Sequence, residues 1–286
     1  MTQRAPRRYR TAAGTARRQP RVRRASAGLS PTRAGAILTM LIVTGALYGL
    51  ASTSAFGFER LDVTGAALTG DDAIRTTVGL ETGTNLVGLA TEPIATRLRQ
   101  LPSIRDVEVS VGLPDALQVA ITERRPIVVW AVGGRRFAVD GGGLLFAETT
   151  TDPSGVTAGV PIVSDERASA ANLAVTSVLD PVDLDAATRL GSLTPSQVGS
   201  HASLLRVRVT DDRGFTVGSG SGGWVAVFGF YGRNQRTPAL IPGQVQLLGG
   251  LLAGREDTVQ TVILADDREG TYVAKPTPRP SATPKP

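Results

Sequence analysis

The chain has 286 residues and a formal net charge of +6, with 31 Lys and Arg against 25 Asp and Glu, and it contains no cysteine. The lack of cysteine excludes a disulfide framework, a thiol nucleophile and a thiolate metal site. Ten basic residues precede residue 34 and the first acidic residue is Glu59, so the remainder has 21 basic against 25 acidic side chains. Because the positive charge is confined to one terminal arm, it indicates membrane orientation and contact with lipid headgroups rather than nucleic-acid binding.

The N-terminal region predicts a membrane anchor. Residues 1–33 are Arg-rich and poor in apolar side chains, which predicts a disordered cytoplasmic tail. Residues 34–56 carry no charge, and roughly 20 apolar residues in a helix are enough to cross a bilayer core of about 30 Å. The alternative is a cleaved signal peptide with a small-residue site at residues 53–55. The length of the basic arm and of the apolar stretch favours the anchor.

Residues 57–126 predict a small domain in the order strand, helix, helix, strand, strand. A short strand ends at Gly65, and Thr69 is the expected N-cap of a helix with acidic residues in its first turn. Pro93 lies in the first turn of a second helix. Apolar and polar residues then alternate over 107–111 and 117–121, the period of half-buried strands.

Residues 127–274 predict a β-rich second domain, which makes the overall class α+β. Strands are expected near residues 136–140, 204–210, 215–217, 224–228 and 258–264, and a helix near 244–253. Residues 166–179 indicate a short helix, with an alanine-rich loop as the alternative. Residues 275–286 alternate proline with polar residues, which predicts a disordered tail.

The residues that enzymes use for catalysis are largely missing. His201 is the one histidine, and no serine lies in a Gly-x-Ser-x-Gly elbow. Neither lysine, Lys275 or Lys285, has a serine three residues before it, so the Ser-x-x-Lys motif of penicillin-binding enzymes is excluded. We therefore expect no catalytic site, no metal, no cofactor and no small-molecule substrate.

An ordered series of motifs resembles the bacterial cell-division proteins of the FtsQ/DivIB family. The basic tail and single span are followed by matching segments at residues 58–65, 83–86, 101–109, 113–121, 123–126 and 137–141. The resemblance covers residues 34–147 and, less closely, 224–274, whereas residues 148–223 match poorly.

The resemblance implies a POTRA domain (β-α-α-β-β) at residues 57–126 and a β-domain at 127–274. It further implies a non-enzymatic scaffold at the division septum, with the N-terminus cytoplasmic and both domains outside the membrane. The implied partners are FtsB- and FtsL-like membrane proteins and the septal peptidoglycan synthase complex. The alternative function is a POTRA-containing envelope protein that binds or chaperones exported polypeptides, and a membrane-anchored wall hydrolase ranks third.

The resemblance also implies where partners bind. In the family a partner strand adds to the edge of the sheet at the last strand and the segment after it. By position this region contains the candidate site residues Val259, Thr261, Ile263, Leu264 and Tyr272. An exposed edge strand offers unpaired backbone groups for such an addition. The alternative interpretation is that these residues face the core of a terminal strand. Arg124 and Arg125 are expected either at the joint between the domains or in an ordinary exposed turn.

Overall fold

The structure, a computed structural model, describes residues 30–51, 53–149, 155–232 and 236–276. The tails predicted to be disordered therefore lie outside the described residues over 1–29 and 277–286. The N-terminal unit contains helix α1, Pro31–Ala51. The predicted apolar helix is confirmed, but it begins and ends earlier than residues 34–56. It starts at Pro31 because Ser30 accepts a hydrogen bond on its Oγ from the Arg33 N–H at 3.4 Å, and proline is favoured in the first turn.

Helix α1 is long and apolar enough to cross a membrane. Its Pro31–Gly49 portion has a mean hydropathy of 1.3. In the described part of the chain it is the one helix that meets this criterion. A span of this length matches the thickness of a bilayer core.

The predicted order of the first globular region is confirmed. It consists of β1 (Arg60–Thr64), α2 (Asp71–Val78), α3 (Glu92–Leu98), β2 (Ile104–Gly112) and β3 (Ala116–Glu123). The three strands form the first sheet, in the order β1-β3-β2, with β1 parallel and β2 antiparallel to β3. The apolar sides of both helices pack on this sheet through Ile74, Leu98 and Leu117, which are fully buried.

The segment between β1 and α2 differs in detail from the sequence prediction. Gly65 ends β1 with φ of +82°, and a Cβ there would lie 2.1 Å from the carbonyl oxygen of Ile121, so glycine is required. Thr69 is not the N-cap of α2, because that position is occupied by Gly70. Its hydroxyl instead lies 2.6 Å from the Ser103 Oγ, and its N–H donates to the Glu123 carboxylate at 2.7 Å.

Nine strands form the second sheet. They are β4 (Val128–Val132), β5 (Arg135–Val139), β6 (Leu145–Thr149), β7 (Ile162–Asp165), β8 (Arg206–Thr210), β9 (Gly214–Gly218), β10 (Val225–Gly229), β11 (Val259–Leu264) and β12 (Gly270–Ala274). Their spatial order is β12-β11-β10-β9-β8-β7-β4-β5-β6, so β12 and β6 are the edges. The α+β class is confirmed.

Two helices cover one face of the second sheet. Helix α4 (Pro181–Gly191) packs against β4, β7 and β8, and α5 (Ile241–Leu252) packs against β10, β11 and β12. The core between these layers contains Trp130, Trp224 and Phe228, each at most 1% exposed. The opposite face contains a row of directly paired residues that includes Arg208, Thr216, Val227, Ile263 and Thr271.

Of the two alternatives for residues 166–179, the helix is wrong and the loop describes the segment better. Only Ala168–Asn172 is helical there, as a short 3-10 turn, and the α-helix of this region is α4. It starts at Pro181 because the Asp180 side chain accepts a hydrogen bond from the Val182 N–H at 2.8 Å. The Asp-Pro pair at residues 180–181 is the sequence signal for the start of this helix.

Candidate partner-binding edge of the second sheet

Strand β11 lies inside the second sheet, not at its edge. It pairs in parallel with β10, where Thr261 is opposite Val225, and antiparallel with β12, where Thr261 is opposite Val273. The expectation that the strand containing Val259, Thr261, Ile263 and Leu264 forms the edge is therefore corrected. The chain turns back after Leu264 and adds one more strand, which covers the backbone groups of β11.

A tight connection at residues 265–269 makes this return possible. The Asp266 carboxylate accepts hydrogen bonds from the N–H groups of Arg268 at 2.8 Å and Glu269 at 2.7 Å. These two backbone hydrogen bonds lower the pKa of Asp266. The Ala265 N–H donates to the Glu269 carbonyl at 2.9 Å and closes the turn. An aspartate that bonds to the backbone two and three residues later is a common turn device.

The backbone of β12 presents three residues to the outside. The Glu269 carbonyl accepts a hydrogen bond from the Ala265 N–H, and the Lys275 N–H donates to the Thr258 carbonyl at 2.7 Å. The backbone groups of Glu269 and Lys275 therefore face β11. Because the backbone direction alternates along an antiparallel strand, Thr271 and Val273 also face β11. The N–H and C=O groups of Gly270, Tyr272 and Ala274 therefore point away from the sheet.

The candidate side chains divide into three groups. Val259 and Leu264 are at most 2% exposed and belong to the core under α5. Thr261 and Ile263 lie on the opposite face, where Ile263 is 46% exposed beside Val273 at 51%. Tyr272 is 44% exposed on the edge strand itself. Among the described residues, the structure thus places Tyr272 on the edge strand and Thr261 and Ile263 one strand inward, whereas Val259 and Leu264 lie beneath the surface.

Tyr272 is held by a cation on a neighbouring turn. The guanidinium carbon of Arg255 lies 5.8 Å from the centre of the Tyr272 ring. Arg255 comes just after α5, and its carbonyl accepts the Val259 N–H at 3.1 Å at the start of β11. A cation over the face of an aromatic ring favours one ring position, so this contact orients the Tyr272 side chain on the edge strand.

Two supporting residues were not identified from the sequence. Arg236 donates to the carbonyls of Phe228 and Ala265, and to that of Leu264 at 3.4 Å, which ties together the ends of β10 and β11. Gly270 lies where α5 approaches the edge, since a Cβ there would be 3.2 Å from side-chain atoms of Leu247 and Leu251. Both contacts join segments far apart in the chain, so no local pattern reveals them.

Glu256 fixes the turn that leads from α5 into β11. Its carboxylate accepts hydrogen bonds from the Ser200 Oγ, from the His201 N–H at 2.9 Å and from the Trp224 Nε1–H at 3.0 Å. Burial alone would raise the pKa of Glu256, but the hydrogen bonds from Ser200, His201 and Trp224 outweigh it and lower the pKa to about 2.

The same cluster places the lone histidine away from any nucleophile. His201 Nδ1 lies 2.8 Å from a Glu256 oxygen, and the neighbouring Ser200 hydroxyl donates to the same carboxylate rather than to the imidazole. Serine is activated when it bonds to the base, so this arrangement does not make a nucleophile. Within the described ranges, no group of three or more His, Cys, Asp or Glu residues is arranged to hold a metal ion.

Arg124 lies at the joint between the two sheets. Its Nε donates to the Pro102 carbonyl at 2.9 Å, and its Nη1 lies 2.7 Å from an Asp140 carboxylate oxygen. Pro102 precedes β2 in the first sheet, whereas Asp140 follows β5 in the second. Of the two positions left open by the sequence, Arg124 therefore occupies the joint.

Comparison with known proteins supports the sequence resemblance. Residues 56–124 match the model of the family described as "POTRA domain, FtsQ-type". A Cell division protein FtsQ of Streptomyces venezuelae is 30% identical over 41% of this chain and 44% of its own length, so less than half of that relative is spanned. The Streptomyces coelicolor protein of the same name is 29% identical over 65% of this chain and 73% of its own.

A more distant relative extends the match along the chain. The Cell division protein FtsQ of Chloroflexus aurantiacus is 24% identical over 86% of this chain and 80% of its own length. The family model matches the region that forms the first sheet, where the strand-helix-helix-strand-strand order was predicted. The predicted resemblance to the FtsQ/DivIB family is confirmed, and residues 56–124 match the FtsQ-type POTRA domain.

Proposed function

We propose that this chain is a non-enzymatic, single-pass scaffold protein of bacterial cell division. Its relatives are named cell division proteins, and α1 is apolar and long enough to cross a membrane. The arginines before residue 34 favour a cytoplasmic N-terminus. The domains proposed at residues 57–126 and 127–274 then lie outside the membrane, and the protein acts at the division septum.

The proposed partner site is the edge strand β12. The observation on which this proposal depends is the outward direction of backbone groups on that strand. Gly270, Tyr272 and Ala274 direct their backbone N–H and C=O groups outward, and an added strand satisfies such groups by β-augmentation. The tyrosine supplies a large contact surface, and aromatic residues are common energetic centres of interfaces. By the resemblance, the partners are FtsB- and FtsL-like proteins that connect the chain to the septal peptidoglycan synthase complex.

Thr261 and Ile263 have a secondary role in this proposal. They lie one strand inward on the open face, paired with Val273 and Thr271, so they border a partner that also covers the surface beside the edge. Val259 and Leu264 are buried and support the strand without touching a partner.

A proline at position 274 tests the proposal without disturbing the β11–β12 ladder. The Ala274 N–H points outward, and proline is tolerated on an edge strand where the N–H faces solvent. We expect Ala274→Pro in the full-length membrane protein to reduce co-purification of the FtsB-like partner roughly tenfold, because it removes a hydrogen-bond donor and crowds the incoming strand. The unfolding temperature should stay close to that of the unchanged chain.

The matched control is Ala274→Ser, which keeps the N–H and nearly the same size. Undiminished recovery of the partner with Ala274→Pro would exclude augmentation at this edge. Recovery of a mixture of exported polypeptides, in place of small single-span proteins, would favour the chaperone function. An even distribution of a fluorescent fusion around dividing cells would contradict the septal location.

A further inference from the structure

The two sheets are built on separate hydrophobic cores. The core under the first sheet includes Phe58, Ile74 and Leu117, and the core under the second includes Trp130 and Phe228, with no residue in common. In the described part of the chain, no helix or strand of the first region packs extensively against one of the second. Regions without a large apolar interface move relative to each other by default. Although the described residues after α1 form one compact unit, the connection between the two regions and the contacts beside it are therefore where their orientation is set.

The connection is short and anchored on both sides. Before it, the Arg124 N–H donates to the Ser103 carbonyl at 2.9 Å, which fixes this residue to the first region. After it, the Ile127 N–H donates to the Val139 carbonyl at 2.9 Å, which fixes that residue to β5. Arg125 and Pro126 are left between the two anchors. Rotation about their backbone bonds is enough to change the angle between the sheets, because hinges need only a few residues.

The Arg124 side chain spans this hinge. One end of its guanidinium holds the Pro102 carbonyl at 2.9 Å and the other holds Asp140 at 2.7 Å. Arg124 and Asp140 are 31% and 13% exposed, so the pair is only partly open to water. Charge-assisted hydrogen bonds of this kind are stronger than neutral ones and depend on direction. The contact therefore resists both separation and twisting of the two regions.

Asp140 is itself rigid. Its other carboxylate oxygen accepts hydrogen bonds from the Gly142 N–H at 2.9 Å and the Leu144 N–H at 3.1 Å in the turn before β6. The Gly143 carbonyl in this turn accepts from the Leu179 N–H at 2.9 Å. The guanidinium of Arg124 thus meets a carboxylate that has one fixed position on the second sheet.

We infer that the Arg124–Asp140 contact is a latch that holds the POTRA domain in one orientation on the second sheet, with Arg125 and Pro126 as the hinge. When the latch is broken, both regions stay folded but their relative orientation varies. This inference does not depend on the proposed function, because it concerns only contacts within the chain.

Spin labels can measure the orientation directly, since the natural chain has no cysteine. Glu108 on β2 and Gln260 on β11 are both exposed and suit replacement by labelled cysteine. In the full-length chain in detergent, we expect electron–electron distance measurements to give one narrow distribution. Arg124→Gln should replace it with a broad one, while near-ultraviolet circular dichroism of Trp130 and Trp224 is unchanged.

Arg125→Gln is the matched control, because it removes the same charge at the adjacent residue and leaves the Asp140 contact intact. Its distance distribution should remain narrow. Asp140→Asn is a second variant: its side-chain oxygen can keep the turn hydrogen bonds, but its NH₂ group then faces the guanidinium, so the contact with Arg124 is lost and the distribution should also broaden. A narrow, unshifted distribution in Arg124→Gln would overturn the latch, as would equal broadening in Arg125→Gln.

Discussion

Thr261 of β11 pairs directly with Val273 of β12, so the strand that the sequence places at the sheet edge is covered by another strand. The consequence is a shift of the candidate site by one strand. In the proposed site, β12 offers backbone groups to an incoming partner, and the residues of β11 contribute through their side chains or from the core.

The first prediction separates the two strands by their response to proline. From the sequence alone, Thr261→Pro is expected to weaken partner binding at an edge. Because β11 has neighbours on both sides, we instead expect this change to destabilise the whole second sheet by about 3 kcal/mol, since it breaks a ladder hydrogen bond and strains an interior strand. Chemical unfolding of the full-length chain measures this, with Thr261→Val as the control that keeps the N–H.

Strand β11 was predictable from the sequence and β12 was not, for a physical reason. In β11 the residues Val259, Val262 and Leu264 are buried, and their spacing in the sequence indicates a strand. In β12 the residues from Thr271 to Ala274 are exposed, so burial imposes no alternating pattern. An edge strand that is stabilised mainly by backbone pairing leaves little trace in the order of its side chains.

In the rest of the fold, too, elements with large buried apolar residues at regular spacing were predictable from the sequence, and other features were not. The first sheet was predicted in the right order because its helices place Ile74, Val78, Ile94 and Leu98 at helical spacing over one core. Helix α4 was missed because only Leu184 and Leu190 are large apolar residues on its buried face, and the other two buried residues, Ala186 and Ala187, are equally common in loops. The hydrogen bond from Arg236 to the Ala265 carbonyl joins residues about thirty positions apart, and only the folded chain brings them together.

A second prediction concerns Tyr272. We expect Tyr272→Ala to weaken partner binding by about 1–2 kcal/mol, roughly five- to thirtyfold, because it removes an aromatic contact surface at the edge. The stability of the chain should change little, since this side chain is 44% exposed. Binding is measured by titration of the purified partner. Tyr272→Phe, which keeps the ring and its contact with Arg255, should retain most of the affinity, and a loss equal to that of alanine would contradict the contact surface as the cause.

A third prediction tests the close approach of α5 to the edge. Gly270→Ala places a methyl group 3.2 Å from the Ile263 carbonyl oxygen and from side-chain atoms of Leu247 and Leu251. We expect this overpacking to cost about 1–2 kcal/mol, which lowers the unfolding temperature by about 2–8 °C for a domain of this size. Gly250→Ala is the control, because its added Cβ meets no heavy atom within 4 Å. That change should be neutral or stabilising, as alanine is preferred to glycine inside a helix, and equal destabilisation by both would argue against a specific contact at Gly270.

A fourth prediction links Glu256 to acid stability. Hydrogen bonds from Ser200, His201 and Trp224 lower its pKa to about 2 in the folded chain, whereas a free glutamate has a pKa of about 4.3. A carboxyl group whose pKa is lowered by folding stabilises the protein above the unfolded value, and that stabilisation is lost as the pH falls through about 4 towards 2. We expect Glu256→Gln to cost about 2 kcal/mol of unfolding free energy near neutral pH, the scale of hydrogen bonds to a charged group, and to flatten the loss of stability in acid.

Denaturant unfolding followed by tryptophan fluorescence between neutral pH and pH 2 measures both effects of Glu256→Gln, because the indole of Trp224 donates to this carboxylate at 3.0 Å. Asp257→Asn removes a charge at the next residue and should leave the pH dependence steep. An equally steep acid dependence in Glu256→Gln would show that another carboxyl group is responsible.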